Sequence, residues 1–167
     1  MQRQKLRRQE YNSVIQQHSD KLYCYALNFL RNEEDAQDIV QDVFEKLWIH
    51  RRNIDLEKAK SWMFTCAHNA MLNLIRKKQR LQLIGEGKLP EIAPKTINIF
   101  ESKEVVERAV SILPPIQKSI ILLRDLEGYS YEEIGKILEI TDSQVKVYLF
   151  RARNKIKRQL KGLVELV

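Results

Sequence analysis

Basic side chains concentrate near the C-terminal end of the chain, where they could bind a polyanion. Seven Lys and Arg residues lie between positions 146 and 161, and Asp142 is the single acidic residue of the predicted helix over 142–163. Lys and Arg contact phosphate oxygens whatever the base sequence, so DNA is a natural partner for such a helix. Six residues early on this helix, off its predicted core face, could also reach base edges. They are Ser143, Gln144, Lys146, Val147, Phe150 and Arg151.

The residues before this helix predict a helix-turn-helix. Ser130-Tyr-Glu-Glu133 and Thr141-Asp-Ser-Gln144 both fit the capping box that begins a helix, so Gln144 has a second candidate role as a capping residue. A short helix over 131–138 and a tight turn precede the long basic helix. Gly135, inside the short helix, predicts that a neighbouring helix approaches closely there. The predicted core is Ile134, Leu138, Val145, Leu149, Ala152 and Ile156. A solvated basic helix at the end of a bundle is the alternative interpretation.

Two more polar faces lie in the first half of the chain, and they differ in character. Apolar residues at helical spacing predict a helix over 33–49, capped by Asn32, with an acidic opposite face. A helix from about Lys58 to Arg80 has Asn and basic residues spaced so that they share one face. The acidic face holds Asp38, Gln41, Asp42 and Glu45, and the second face holds Asn69, Asn73, Arg76, Lys77 and Arg80.

No residue pattern predicts catalysis or a metal site. The sequence has no Walker loop, no glycine-rich dinucleotide fingerprint and no HExxH motif. Cys66 and His68 are two positions apart on a predicted helix, so their side chains point in different directions. Cys24 and Cys66 are predicted to be small buried residues in a reducing cytosol. We therefore expect no enzyme activity, no metal, no cofactor and no small-molecule substrate.

Composition predicts an all-α protein. The 167 residues are 44% hydrophobic, which is enough for a packed core, and include five Gly and four Pro, too few for a β fold with many tight turns. The net charge of +7 agrees with a polyanionic partner. No apolar run reaches the length of a membrane span, and the first ten residues lack the apolar segment of a secretory signal. We expect a cytoplasmic protein.

Breaks in helical periodicity divide the chain into two small helical domains. Gly85, Gly87, Pro90 and Pro94 fall between residues 81 and 98, which predicts a flexible linker. The first domain, 8–80, contains predicted helices over 10–30, 33–49 and 58–80. The second domain, 99–167, begins with a helix from about Ile99 to Leu113. The next helix starts at Pro115 and is ended by Gly128, before the helix-turn-helix.

The motifs of the two domains, taken in order, resemble those of a known family, the group 4 or extracytoplasmic function (ECF) sigma factors of bacterial RNA polymerase. Asp35-Ala-Gln-Asp-Ile-Val-Gln-Asp-Val-Phe44 and Ser61-Trp-Met-Phe-Thr-Cys-Ala-His-Asn69 match sigma region 2. Leu113-Pro-Pro, Leu126-Glu-Gly-Tyr-Ser-Tyr-Glu-Glu-Ile134 and Val145-Lys-Val-Tyr-Leu-Phe-Arg-Ala-Arg153 match region 4. The resemblance covers nearly the whole chain and includes no long region 3, which is a mark of this small class.

The resemblance assigns roles to the three polar faces. It implies that the acidic face binds the β′ clamp helices of core polymerase, and that the C-terminal domain binds the -35 element and the β flap. It implies that the face with Asn69 and Asn73 reads the -10 element, while the loop near residues 51–60 captures a flipped -10 base. The linker would thread toward the RNA exit path. A cognate anti-sigma factor is a further expected partner.

Aromatic residues near the -10 surface have two candidate roles. Trp48, Trp62 and Phe64 could stack on bases, but core packing is the expected role of each. The sequence also departs from the family at two positions. Glu139 occupies the turn where many relatives have Gly. Val147 replaces a small polar residue that is common in relatives, so the resemblance does not imply which -35 sequence this protein recognises.

Two other functions remain open from the residues alone. A free-standing helix-turn-helix regulator would need a dimerisation surface and a palindromic site, and the first 80 residues could supply the surface. A helical adaptor that binds only protein would make the basic helix incidental.

Overall fold

We describe the protein from a computed structural model over residues 3–85 and 102–165, the side chains of 102 and 163–165 excepted. Within these ranges the protein is helical. The N-terminal half contains α1 (Arg8–Leu30), α2 (Glu33–His50) and α3 (Ala59–Leu83), with short 3-10 turns at Arg51–Asn53 and Leu56–Lys58. The C-terminal half contains α4 (Ser102–Ser111), α5 (Pro115–Ile121), α6 (Tyr131–Leu138) and α7 (Asp142–Glu165). The all-α prediction is confirmed. Most of the predicted linker, residues 86–98, and the predicted helix start near Ile99 lie outside the described residues.

The helix ends follow the predicted capping residues. The Asn32 side chain accepts a hydrogen bond from the Asp35 backbone at 2.9 Å, which begins α2. Ser130 Oγ accepts from the Glu133 backbone at 3.1 Å, and a Glu133 carboxylate oxygen accepts from the Ser130 backbone at 2.9 Å. Gly128 has a φ of +75° and follows a π-helical turn at Leu122–Leu126, which ends the helix that Pro115 begins. The local sequence therefore sets where these helices start and stop.

The buried apolar residues of the two halves join in one cluster. The buried side chains of α1, α2 and α3 include Leu22, Val43, Leu47, Phe64 and Met71, and all five are inaccessible to solvent. In the C-terminal half the interior is formed by the buried faces of α5, α6 and α7. Its most buried apolar residues are Ile120, Leu123, Ile134, Ile137, Val145, Leu149 and Ala152. Ile137 also belongs to this core, whereas Leu138 and Ile156, which the sequence predicted to be core residues, are partly buried and pack against it.

The two halves pack against each other through a buried polar cluster. The Tyr25 hydroxyl of α1 and the Ser119 hydroxyl of α5 are 2.7 Å apart. His68 Nδ1 on α3 lies 2.7 Å from the same Ser119 oxygen. All three side chains are buried, which removes competition from water. This contact could not be predicted from the sequence, which indicated two domains without a relative orientation.

Further contacts join α3 to α6. Lys60 Nζ is 2.8 Å from a carboxylate oxygen of Glu133 and lies over the Tyr129 ring at 4.0 Å. The Thr65 hydroxyl donates to the Ile137 carbonyl at 2.7 Å. Ring contact between Phe64 and Tyr129, with centroids 5.3 Å apart, adds an apolar component. The N-terminal and C-terminal halves therefore share one continuous interface.

Two predictions about small residues were wrong in part. Cys24 on α1 is exposed rather than buried, and Cys66 on α3 is half-buried. At Gly135 the close approach is real but comes from the turn, not from another helix. A Cβ there would lie 2.8 Å from the Ile140 carbonyl oxygen and 3.4 Å from the Asp142 carboxylate.

Candidate nucleic-acid and protein interfaces

The start of α7 presents the six predicted base-reading residues to solvent. Ser143, Gln144, Lys146, Val147, Phe150 and Arg151 are all exposed. Val145, Leu149 and Ala152 are buried on the opposite face and hold the helix against the rest of the C-terminal half. An exposed helix anchored in this way can enter a DNA major groove. Phe150 is notable because 67% of this large apolar side chain is exposed.

Gln144 is held in the capping box that begins α7. Its side-chain oxygen accepts from the Thr141 backbone at 2.9 Å, and the Gln144 backbone donates to Thr141 Oγ1 at 3.2 Å. Both hydrogen bonds of the capping box are therefore present in the protein without DNA. A base contact by the Gln144 oxygen would have to replace a hydrogen bond that α7 already uses.

The basic residues of α7 are not equivalent. Arg153 pairs with Asp125 at 2.7 Å, which directs its guanidinium back to the protein. Lys146 and Arg151 are exposed near the start of the helix. Beside them, a cavity of about 370 Å³ is lined by Tyr131, Phe150 and Lys157, among others. Cationic and aromatic groups at one opening suit an anionic partner that carries flat bases.

The polar face of α3 is fully formed. All five of its predicted residues are exposed, whereas Met63, Ala67 and Met71 are buried on the other side of the helix. Lys78, near the end of this face, forms an ion pair with Asp35 of α2. The exposed members are Asn69, Asn73, Arg76, Lys77 and Arg80.

The loop between α2 and α3 forms a second cavity. Its volume is about 370 Å³, and its lining residues are His50, Asn53, Ile54, Asp55, Lys58 and Trp62. This size falls within the range of roughly 300–1,000 Å³ that is typical of small-ligand pockets. Asn53, Asp55 and Lys58 supply hydrogen-bonding groups, and the His50 and Trp62 rings lie 6.2 Å apart. Sequence reasoning placed a binding loop here without identifying Asp55 or Ile54 as wall residues.

The three aromatic residues near this loop have different environments. Phe64 is fully buried, as expected for core packing. Trp62 is half-buried and lines the cavity. Trp48 is 39% exposed, so core packing was the wrong expectation for it. The Arg51 guanidinium lies 3.8 Å from the Trp48 ring centre, and Tyr11 contacts the same ring edge-on.

The acidic face of α2 is available to a partner. Asp38, Gln41 and Glu45 are exposed, while Asp42 is half-buried and forms an ion pair with Lys46 at 2.9 Å. That hydrogen bond raises the pKa of Lys46. Three acidic side chains on one helix suit a basic protein surface.

Residues 3–85 and 102–165 contain neither a metal-binding cluster nor a membrane-spanning helix. These residues contain no group of three His, Cys, Asp or Glu side chains arranged to hold a metal ion. Among the same residues no helix is both long enough and apolar enough to span a membrane.

Comparison with family models identifies both halves. The model for sigma-70 region 2 matches residues 14–81, and the model for sigma-70 region 4 matches residues 103–156. The two matches lie in order and together cover most of the chain. The chain belongs to the sigma-70 family. Its α1–α3 bundle is thus region 2, and its helix-turn-helix lies in region 4.

Similar proteins place this sigma factor in the ECF group. It is 27% identical to the ECF RNA polymerase sigma factor SigM of Bacillus subtilis over 150 residues, which is 87% of this chain and 92% of that protein. It is 26% identical to B. subtilis SigW over 171 residues, with 92% and 90% covered. The free-standing regulator is therefore not favoured.

Solved structures agree on the fold. The sigma factor RpoE from Bartonella quintana, in complex with the anti-sigma factor NepR, superposes with a TM-score of 0.76 at 24% identity, covering 92% of this chain and 98% of that chain. CnrH, in complex with the cytosolic domain of CnrY, gives a TM-score of 0.70 at 22% identity, with 93% and 90% covered. Each of these two solved chains therefore matches both halves of this sigma factor.

Proposed function

We propose that the three exposed faces divide the work of promoter recognition in this ECF sigma factor. The α2 face binds core polymerase, the α3 face and the neighbouring cavity bind the -10 element, and α7 binds the -35 element. One observation carries the proposal. The predicted contact residues are exposed, with Asp42 alone half-buried, while the opposite face of each of these helices is buried. We also propose functional domains over 8–80 and 99–167 with a linker over 81–98, although α3 continues to Leu83, three residues into that linker. The two family matches support this division.

In the proposed mechanism a flipped -10 base enters the cavity between His50 and Trp62. An extruded base loses its stacking, and a pocket whose walls offer hydrogen-bonding groups compensates for part of that loss. Exposed Arg76, Lys77 and Arg80 would hold the phosphates of the melted strand. Core polymerase carries out RNA synthesis, so this chain needs neither a catalytic group nor a cofactor.

Binding both promoter elements requires the two halves to separate. The -35 and -10 elements are named by their positions upstream of the transcription start, so they lie about 25 base pairs apart. At 3.4 Å per pair this separation is ~85 Å along the DNA helix axis. A compact chain of this length has a radius of gyration of about 15 Å. The packed arrangement is therefore a free form, and polymerase binding would supply the scaffold that sets the spacing.

The proposed partners are core polymerase, through its β′ clamp helices and β flap, and promoter DNA. An anti-sigma factor is a further proposed partner, because the similar RpoE structure contains one. We propose that the protein acts in the cytoplasm, where polymerase and DNA are found, and takes no small-molecule substrate.

Run-off transcription with core polymerase tests the proposal. We expect transcripts from a defined set of promoters only when this protein and the core enzyme are both present, with start sites downstream of a common -35 and -10 pair. Mass measurement with and without the core enzyme is the control. A homodimer that binds a palindrome without polymerase, and no promoter-dependent transcript, would support the regulator instead.

A further inference from the structure

Residues 3–6 run alongside the loop that forms the proposed -10 cavity. The Leu56 backbone donates to the Gln4 carbonyl at 2.9 Å, and the Leu6 backbone donates to the Ile54 carbonyl at 3.4 Å. These bonds make an isolated antiparallel bridge between Lys5 and Asp55. Leu6 is buried, with 1% of its side chain exposed, so the segment is anchored in the core. A segment near the start of the chain thus fixes a loop some fifty positions away.

Asp55 is also the centre of a small ionic cluster. Lys5 Nζ lies 2.8 Å from one of its carboxylate oxygens, and an Arg3 nitrogen lies 3.5 Å from the other. Only 12% of the Asp55 side chain is exposed, compared with 52% for Lys5. The hydrogen bond from Lys5 holds the pKa of Asp55 below its usual range. Asp55 is therefore ionised and largely covered by its partners.

Ile54 and Asp55 contribute to the wall of the cavity, so their placement affects what the cavity can bind. An unpaired carboxylate at this position would repel the phosphates of an incoming strand. Without the backbone bridge, the two 3-10 turns would be held by their own short-range hydrogen bonds and by the buried Ile54 side chain, which leaves the Asp55 backbone less restrained. A binding site must be held to within about 0.5 Å, so even a small shift of this wall would weaken the fit between the cavity and a base.

We propose that residues 3–6 are a positioning element of the -10 cavity, in which backbone pairing sets the Ile54–Asp55 wall and Lys5 neutralises the Asp55 carboxylate. The inference rests on the proposed function, since it requires that the cavity receives a flipped base. It assigns a role in promoter opening to a segment outside the family match, which begins at residue 14.

A charge-swap series in reconstituted holoenzyme tests the inference. The variants are Lys5→Glu, Asp55→Lys and the double variant Lys5→Glu with Asp55→Lys. The readout is fluorescence of 2-aminopurine placed at each position of the -10 element, which rises when a base leaves the stack. Each single variant puts like charges together, and we expect open-complex signal to fall about three- to tenfold. The double variant restores the pair and should recover most of the signal.

Arg8→Glu is the matched control. Arg8 is exposed at the start of α1 and undergoes the same change of charge, without being one of the two cations that pair with Asp55. We expect near-normal opening by this variant. Polymerase binding and -35 preference should remain unchanged in all four variants, because the ionic cluster lies outside both surfaces.

Two other results would be informative in different ways. If wild-type holoenzyme flips a base but Lys5→Glu opens promoters normally, or the charge swap fails to restore opening, the positioning role is wrong while the cavity assignment stands. If Asn53→Ala and Trp62→Ala leave base flipping unchanged, the cavity does not hold the base, and both the cavity assignment and the inference are overturned.

Discussion

Tyr25 Oη and Ser119 Oγ lie 2.7 Å apart, so a hydroxyl of region 2 is hydrogen-bonded directly to a hydroxyl of region 4. His68 Nδ1 meets the same Ser119 oxygen at 2.7 Å, and the three groups are buried together. Each of these groups depends on the others for hydrogen bonding, because water cannot reach them. The packing of the two regions therefore combines this specific polar cluster with the apolar contact between Phe64 and Tyr129.

Ser119→Ala should weaken this interface. The change removes the hydroxyl that Tyr25 Oη and His68 Nδ1 share and leaves them the longer 3.3 Å contact with each other, which costs about 1–3 kcal/mol. We expect a lower urea midpoint and faster amide exchange where α3 meets α5. Tyr129→Phe is the control, because within the described part of the chain the buried Tyr129 hydroxyl has no hydrogen-bond partner. That variant should be neutral or slightly stabilising, and equal destabilisation by both would contradict a specific cluster.

The same cluster makes stability depend on pH. Burial lowers the pKa of His68 from 6.5 to about 4. The unfolded chain therefore takes up a proton at higher pH than the folded chain does, and stability falls as the pH drops through the interval from 6.5 to 4. The loss approaches about 3 kcal/mol at the acid end, since each pKa unit corresponds to ~1.4 kcal/mol.

Unfolding free energies at pH 7.5, 6 and 5 check this effect. Other groups titrate over the same range, so the measured quantity is the difference between the wild type and His68→Gln at each pH. That difference should shrink as the pH falls. His18→Gln is a comparison for a partly buried ring whose pKa is also lowered by burial and by Lys60 and Lys21. A difference for His68→Gln that does not change with pH would contradict the prediction.

Glu139 is a second place where a single substitution is informative. It has a φ of 58° in the turn between α6 and α7, a left-handed conformation that favours glycine. Glu139→Gly should stabilise the protein by about 1 kcal/mol, because the Cβ strain is removed. Glu139→Ala keeps the Cβ and should give no comparable gain. The midpoints of urea unfolding compare the two variants, and equal midpoints would show that the backbone carries no such strain.

The same turn illustrates how far local sequence predicts the fold. Capping boxes at Ser130 and Thr141 predicted where α6 and α7 begin, because a cap involves residues three positions apart. Gly135 predicted a close approach but not its source. The atom that approaches is the Ile140 carbonyl oxygen, and its position depends on the left-handed residue in the turn.

Contacts distant in sequence were not predictable in this way. Tyr25 and Ser119 are 94 positions apart, and the sequence predicts only that each belongs to an amphipathic helix. The pairing of Lys5 with Asp55 spans 50 positions and involves too few residues to show a strand period. The exposed faces were predictable because exposure follows from helical period alone. The cavity walls were not, because they depend on how separate segments meet.

The acidic face of α2 is predicted to bind core polymerase. Asp38→Lys combined with Asp42→Lys reverses its charge and should abolish capture of the core enzyme in a pull-down. Asp38 is exposed and Asp42 forms an ion pair with the neighbouring Lys46, so the fold should be retained, with a loss of stability of no more than about 1 kcal/mol.

A control variant with the same change of net charge separates a specific surface from bulk charge. Asp20→Lys combined with Glu132→Lys alters two exposed acidic residues elsewhere. That protein should bind the core enzyme normally. Normal capture by the Asp38 and Asp42 variant, or equal loss in both variants, would overturn the assignment of this face.

Promoter reading by the two DNA surfaces should be separable. Asn69 is exposed on α3 and can both donate and accept, so it can hold an unpaired base. Asn69→Ala should reduce open-complex formation more than polymerase binding.

Arg151→Ala should act at the -35 element, where we expect a phosphate contact plus partial base reading, because Arg151 lies well into the helix. A base-reading contact is worth about 1–3 kcal/mol at one position, whereas a phosphate contact weakens all sequences and lowers the salt slope.

Transcription from libraries randomised at the -35 or the -10 element distinguishes these outcomes, and repeating the -35 measurement at two salt concentrations isolates the phosphate contribution. Arg153→Ala is a useful comparison for Arg151→Ala, because Arg153 is paired with Asp125 and should affect promoter preference less. If Asn69→Ala altered only the -35 preference, or Arg151→Ala altered only the -10 preference, the proposed division of the promoter between α3 and α7 would be wrong.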